Sequence, residues 1–224
     1  MITFVSRLYR MAFCRGGHGV HSPFAFDLIT KVIEEKRQYY CYERLSSARR
    51  QIQQDIDKPC FSEGENRFLF RLANYFKPKT IFITGRNLGL TPLYVTAYSK
   101  EAVCTAFETE PTAMPITRYY ADKYARGSVH IHDCAPGKPN NIDLIIWGSA
   151  SPDISLSTFE EYLAHTSNDS VMVISGIRAS SKNRKVWRSI CAHSKVSVTV
   201  DLYNLGLVFF NSKLHRRTYK CIVL

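Results

Sequence analysis

The feature that most limits what this chain can fold into is an alternation that begins near residue 80. Short runs rich in β-branched and apolar residues, at 80–84, 102–107, 128–132, 142–147 and 170–175, are separated by stretches with helical character. A helix is predicted from Pro92, another through Tyr124, a third opened by the capping box Ser157-Thr158-Phe159-Glu160, and a fourth through Val186, Trp187 and Ile190. Strand and helix in strict succession imply βαβ units on a parallel sheet. Central strands of such a sheet are buried on both faces and read as continuous apolar runs. The runs Ile145-Ile146-Trp147 and Val171-Met172-Val173-Ile174 have that character.

The last part of the chain breaks the alternation. Residues 196–203 and 207–210 flank Asn204-Leu205-Gly206, a link too short for a crossover helix, so these two strands must form an antiparallel hairpin at one edge of the sheet. Residues 218–224 offer one more edge strand. Ahead of the sheet, residues 1–61 carry little strand character and read as a helical extension, with residues 62–224 as the α/β domain. Ser22-Pro23 places a capping residue before a proline at the first helical position, and Phe24, Leu28, Val32 and Ile33 recur at helical spacing, which predicts a helix over 23–35. A second helix is expected over 43–57. The domain then opens with a capping box, Ser62 to Glu65, followed by the apolar face Leu69, Leu72, Ala73 and Phe76.

Composition excludes several classes. No window approaches the roughly 20 apolar residues of a membrane span, and the first 15 residues are broken by Arg7 and Arg10, so they read as mature protein. Seven scattered cysteines, odd in number and without paired ligand spacing, favour free thiols in a cytoplasm; Cys104 and Cys221 read as small buried hydrophobes. Lys and Arg exceed Asp and Glu by 30 to 19. The excess gathers at the N-terminus, at Arg49-Arg50, and within 182–188 and 213–220, but no single run has the density of a nucleic-acid-binding tail. Nucleic acid therefore ranks behind a small molecule as partner, and a homo-oligomer is compatible with the sequence.

In an open α/β sheet the ligand is expected at the carboxyl ends of the strands, near the point where strand order reverses. The first strand leads into Gly85-Arg86-Asn87-Leu88-Gly89, whose glycines allow a tight turn and a close backbone approach to a ligand. The second strand ends at Glu108, placed to accept hydrogen bonds from two ribose hydroxyls; Glu110 suits a helix N-terminus instead. Asp133, after the third strand, is placed to accept from an adenine amino group. Trp147 ends the fourth strand, as a wall beside the ligand or as core.

These residues carry a resemblance. Gly17-His18-Gly19-Val20-His21-Ser22-Pro23-Phe24, the turn between Gly85 and Gly89, the apolar strand before Gly148, and the hairpin strands around Val200 and Phe209 resemble the Bacteroidetes class I S-adenosylmethionine-dependent methyltransferases, often described as O-methyltransferase-like. The resemblance covers nearly the whole chain. It implies a Rossmann-like methyltransferase fold with a mainly parallel seven-stranded sheet, S-adenosylmethionine as cofactor, and a cofactor site at Gly85, Arg86, Asn87, Gly89, Glu108, Asp133 and Trp147. It also implies methyl transfer to an oxygen or nitrogen of a small molecule.

Three positions depart from the family. Relatives carry an acid two residues before the first glycine of the turn, where this chain has Ile83. One charged hydrogen bond contributes roughly 1.5 to 3 kcal/mol, so its absence implies about one to two orders of magnitude in affinity. Trp147-Gly148 replaces an Asp-Gly, and Ser175 to Arg178 lacks the acids that relatives place after the fifth strand. A hard Mg²⁺ ion needs such oxygens, so no metal is expected. His18 and His21 are candidate general bases only if their segment folds over the pocket. The departures keep a second reading open, a catalytically inactive methyltransferase fold that binds or scaffolds. A nucleic-acid methyltransferase is a third.

Overall fold

A computed structural model describes residues 21–56, 59–133, 140–148 and 154–222, with nothing described of the side chain of Gln53. The helices are α1 (Pro23–Leu28), α2 (Tyr40–Asp55), α3 (Glu63–Phe76), α4 (Thr91–Thr96), α5 (Met114–Tyr124), α6 (Leu156–Leu163) and α7 (Ser181–Ala192). The strands are β1 (Thr80–Gly85), β2 (Val103–Glu108), β3 (Ser128–His132), β4 (Leu144–Trp147), β5 (Val171–Ser175), β6 (Val198–Asp201), β7 (Leu205–Phe209) and β8 (Arg217–Lys220).

The strands form one sheet in the order β3-β2-β1-β4-β5-β7-β6-β8. Strands β1 to β5 are mutually parallel, and β7 runs antiparallel to both β5 and β6. This is the Rossmann-like methyltransferase fold. Strand order reverses between β1 and β4, so the crevice expected for a ligand lies at the carboxyl ends of β1, β2 and β4.

Two expectations about the sheet are corrected. It has eight strands among the described residues, not seven, because β8 pairs in parallel with β6 from Val198↔Arg217 to Asp201↔Lys220. The hairpin is therefore not the outer edge; β8 is. The link of that hairpin also falls earlier than expected. Asp201 pairs with Gly206, Tyr203 takes the left-handed conformation (φ 78°), and Leu205 and Gly206 already belong to β7. Gly206 serves packing rather than the turn: a Cβ there would lie 2.5 Å from the ring of Trp187.

Alternate residues of the strands feed two apolar layers. Ile81, Ile83, Leu144 and Ile146 face the layer built with α1 to α5, whereas Phe82, Ile145, Met172 and Ile174 face the layer built with α6 and α7. The N-terminal helices share the first layer through Leu28, Val32, Leu45 and Ile52. The helix expected over 23–35 is interrupted: α1 passes into a single π-helical turn, Ile29–Ile33, closed by Glu34 N–H donating to the Ile29 carbonyl. Its last carbonyls are met by a buried arginine. Arg71 of α3 donates to the carbonyls of Val32 (2.7 Å) and Ile33 (3.3 Å), satisfying groups that a helix end otherwise leaves without partners.

The capping box at Ser62 and Glu65 forms as its spacing predicts. The one proposed at Ser157 does not, because α6 starts earlier: Ser155 is the cap and accepts from the Thr158 N–H at 3.1 Å. Among the described residues no helix is long and apolar enough to cross a membrane.

Candidate functional site

The turn after β1 is shaped by two left-handed residues, Asn87 (φ 56°) and Gly89 (φ 55°). Glycine takes that conformation freely and asparagine more readily than most other residues. The turn is closed from below by Glu108, the last residue of β2 and 2% exposed. One carboxylate oxygen accepts from the N–H groups of Asn87 (2.8 Å) and Glu110 (3.0 Å). The other accepts from Leu88 N–H (2.8 Å) and, more weakly, from the Thr117 hydroxyl (3.4 Å). A carboxylate offers about four acceptor positions, and here protein donors fill all four. Glu108 is thus the clamp that holds the turn against β2.

Beside the turn, two glycines lie back to back at the ends of adjacent strands. A Cβ on Gly85 would come within 3.4 Å of the Gly148 Cα and 3.1 Å of the Cys60 sulfur; one on Gly148 would come within 2.5 Å of that sulfur. The pair forms a cradle that admits a group no side-chain-bearing residue there would tolerate. Cys60 fills it, with Leu88 against its wall, 3.0 Å from where a Cβ on Gly85 would lie. The Cys60-Phe61 segment is tied down at both residues. Cys60 N–H donates to the Asn87 carbonyl at 2.8 Å, and the buried Asn66 donates its amide to the Phe61 carbonyl at 3.2 Å while accepting from Thr91 at the start of α4.

The predicted residues therefore divide. Gly85, Asn87 and Gly89 come together in one turn, which Glu108 holds through the N–H groups of Asn87 and Leu88. Arg86 points to the rim, where its guanidinium pairs with Glu110 at 2.6 Å. Hydrogen bonds from Thr112 and Arg86 hold the Glu110 carboxyl below its ordinary pKa. Asp133 is exposed at the end of β3, beyond β2. Trp147 is 8% exposed and packs edge-on against Tyr162 at 5.5 Å in the second apolar layer. Ile83 is fully buried in the first layer. His18 lies outside the described residues, and His21 is exposed just before α1. Among the described residues no three His, Cys, Asp or Glu side chains converge as a metal site would require.

Sequence reading missed Cys60, Leu88 and Thr117. Nothing periodic marks Cys60 or Thr117, which reach the site through tertiary packing. Leu88 carries a weak signal, an apolar residue inside a glycine-bounded turn.

Comparison with known proteins agrees with the fold. Neither a protein-family model nor a curated protein matches the chain. Among solved structures it is similar to the O-methyltransferase TomG of Streptomyces achromogenes, solved with S-adenosylmethionine, at 13% identity and a TM-score of 0.57 over 84% of this chain and 95% of that one. It is also similar to an O-methyltransferase of Bacillus cereus, solved with S-adenosylhomocysteine, at 16% identity and 0.57 over 83% and 97%. A methyltransferase of Podospora anserina, bound to the same product, gives 12% and 0.59 over 85% and 96%. These likenesses establish a shared architecture across nearly the whole of each partner.

Proposed function

We propose that this chain is an S-adenosylmethionine-dependent methyltransferase that acts, without a metal, on an oxygen or nitrogen of a small molecule. The observation that carries the reading is the union of the Gly85–Gly89 turn, the carboxylate of Glu108 and the paired glycines Gly85 and Gly148 at the point where strand order reverses. The cradle fits close approach of an adenosyl cofactor, and Glu108 is the acid nearest the turn. S-adenosylmethionine, when bound, supplies the methyl group on a sulfonium; transfer from it depends chiefly on proximity and orientation. The residues present would bind and orient rather than exchange protons. Trp147 and Ser175 leave no carboxylate at the positions where relatives hold a hard cation.

The same geometry implies weak cofactor binding. Cys60 must leave the cradle, and Glu108 must release part of its hold on the turn before it accepts ribose hydroxyls. None of the five described cysteines forms a disulfide, and we propose a cytoplasmic location for the protein.

A second reading, an inactive methyltransferase fold that serves as a binding protein, is favoured by one specific observation: all four acceptor positions of Glu108 are already used within the protein. Calorimetric titration with S-adenosylmethionine and S-adenosylhomocysteine separates the two. Saturable heat supports the enzyme reading, and its absence supports the binding protein.

A further inference from the structure

The positive charge of this protein is not spread evenly. Residues 171–224 hold ten of the thirty Lys and Arg but only one of the nineteen Asp and Glu. That one acid, Asp201, is buried and paired with Arg178 at 2.5 Å. The other nine basic residues of the segment are all exposed.

The fold brings the two basic stretches of this segment together. On α7, Arg184, Arg188 and Cys191 are spaced four and three residues apart and so share one side of the helix. Cys191 fixes where that side points, because its thiol lies against the hydroxyls of Thr199 in β6 and Thr218 in β8. Those two hydroxyls are themselves 2.8 Å apart. Side chains alternate along a strand, so Arg216 and Lys220 lie on the same side of the sheet as Thr218, while Tyr219 enters the layer on the other side. Arg216 also donates to the carbonyls of Cys191 and His193 at the end of α7. The result is a continuous cationic flank between α7 and the edge strand β8. At its far end, on the rim opposite the cofactor crevice, it opens into a groove of about 540 Å³ lined by Thr166, Asn168, Ser194, Lys195, Ser212 and Arg216.

We infer that this flank binds double-stranded nucleic acid through its phosphates. Phosphate recognition uses Arg and Lys together with Ser, Thr and Asn side chains; the flank supplies the first and the groove both, over a floor of Leu163, Val196, Phe210 and Leu214. The twelve residues of α7 span about 18 Å, on the order of five base pairs. Single strands and bilayers fit less well. The large apolar side chains that are exposed among the described residues are Phe26, Tyr40, Tyr75, Val103, Tyr119 and Leu156, all before the basic segment. Within residues 171–222 no large apolar side chain is exposed, and Val196 and Phe210 of the groove are buried, so the segment offers neither a stacking platform for unpaired bases nor an apolar anchor for a membrane. The inference is independent of the cofactor reading.

The test is fluorescence anisotropy with labelled DNA and RNA duplexes of about 20 base pairs over a salt series. The triple variant Arg184→Glu/Arg188→Glu/Lys220→Glu is compared with Lys36→Glu/Arg50→Glu/Lys100→Glu, which makes the same change in charge at exposed positions elsewhere. We expect binding of the wild type at low salt, about a hundredfold loss in the flank variant, and a salt slope lowered by about three. The control variant should lose less than about fivefold. Equal loss in both variants, no duplex binding at about 50 mM salt, or binding to phosphatidylserine vesicles in preference to duplex would each overturn the inference.

Discussion

The turn between β1 and α4 and the flank between α7 and β8 use polar groups in opposite ways. At the turn a single acid, Glu108, is buried and every acceptor position points inward to the protein's own donors. On the flank Arg184, Arg188, Arg216 and Lys220 are exposed to solvent, and the one acid of that segment, Asp201, is paired with Arg178. Inward-facing charge determines local structure, because a buried donor without a partner is costly. Outward-facing charge barely affects stability, since exposed ion pairs and their loss are worth little, but it sets long-range attraction for a polyanion. The turn should therefore be sensitive to substitution in folding, and the flank in binding.

The largest expected effect is at the end of β1. Replacing Ile83 by glutamate supplies the acid that the methyltransferase resemblance implies at this position, but the position is fully buried between strands and helices. An unpaired charge there should destabilise the protein by about 4 kcal/mol or more, seen as loss of the cooperative thermal transition at or near ambient temperature. A stable variant with improved cofactor binding would show that the strand end is wet, and would break the comparison on its first side.

Next comes Glu108→Ala, which leaves the N–H groups of Asn87, Leu88 and Glu110 without their acceptor. At roughly 1 to 3 kcal/mol for each buried group, reduced by water entering the vacated space, a loss of about 3 kcal/mol is expected. That corresponds to a fall of about 6 to 12 °C in Tm for a chain of this size. A change of less than about 1 kcal/mol would mean that Glu108 is not the clamp.

The smallest effect sharpens the contrast at the rim. The Glu110 carboxyl is held below its ordinary pKa of 4.5 by Thr112 and Arg86. A carboxyl depressed in the folded state stabilises at pH values above its unfolded pKa, and that stabilisation disappears as the pH falls through the folded pKa. The difference in Tm between wild type and Arg86→Ala should therefore be small at neutral pH and vanish in acid. A difference that grows on acidification would contradict the assignment.

Much of the fold was legible because its signals are local. Strand β3 falls at the residues its sequence marks, and the capping box at Ser62 forms with both of its bonds. The errors arise where a distant partner decides. Gly206 reads as a turn residue, yet the indole of Trp187 requires it within a strand. The helix over 23–35 is diverted into a π turn whose carbonyls are met by Arg71, nearly forty residues away in sequence. The edge strand offered by residues 218–224 forms as β8 at Arg217–Lys220, but that it pairs in parallel with β6 is not marked by any periodicity. At the candidate site the glycines and Glu108 were visible as types at strand ends. Their occupation was not, because Thr117 reaches Glu108 from α5 and Cys60 reaches the two glycines from the segment ahead of α3.

The central claim is that the space between Gly85 and Gly148 is a cofactor seat that Cys60 now fills. Titrating S-adenosylhomocysteine into the wild type and into Cys60→Gly, by calorimetry under identical conditions, tests it most directly. The account predicts saturable binding to both proteins, tighter in Cys60→Gly by about tenfold, equivalent to about 1.4 kcal/mol. Equal affinities would contradict the seat, and absence of heat from both proteins would contradict cofactor binding altogether.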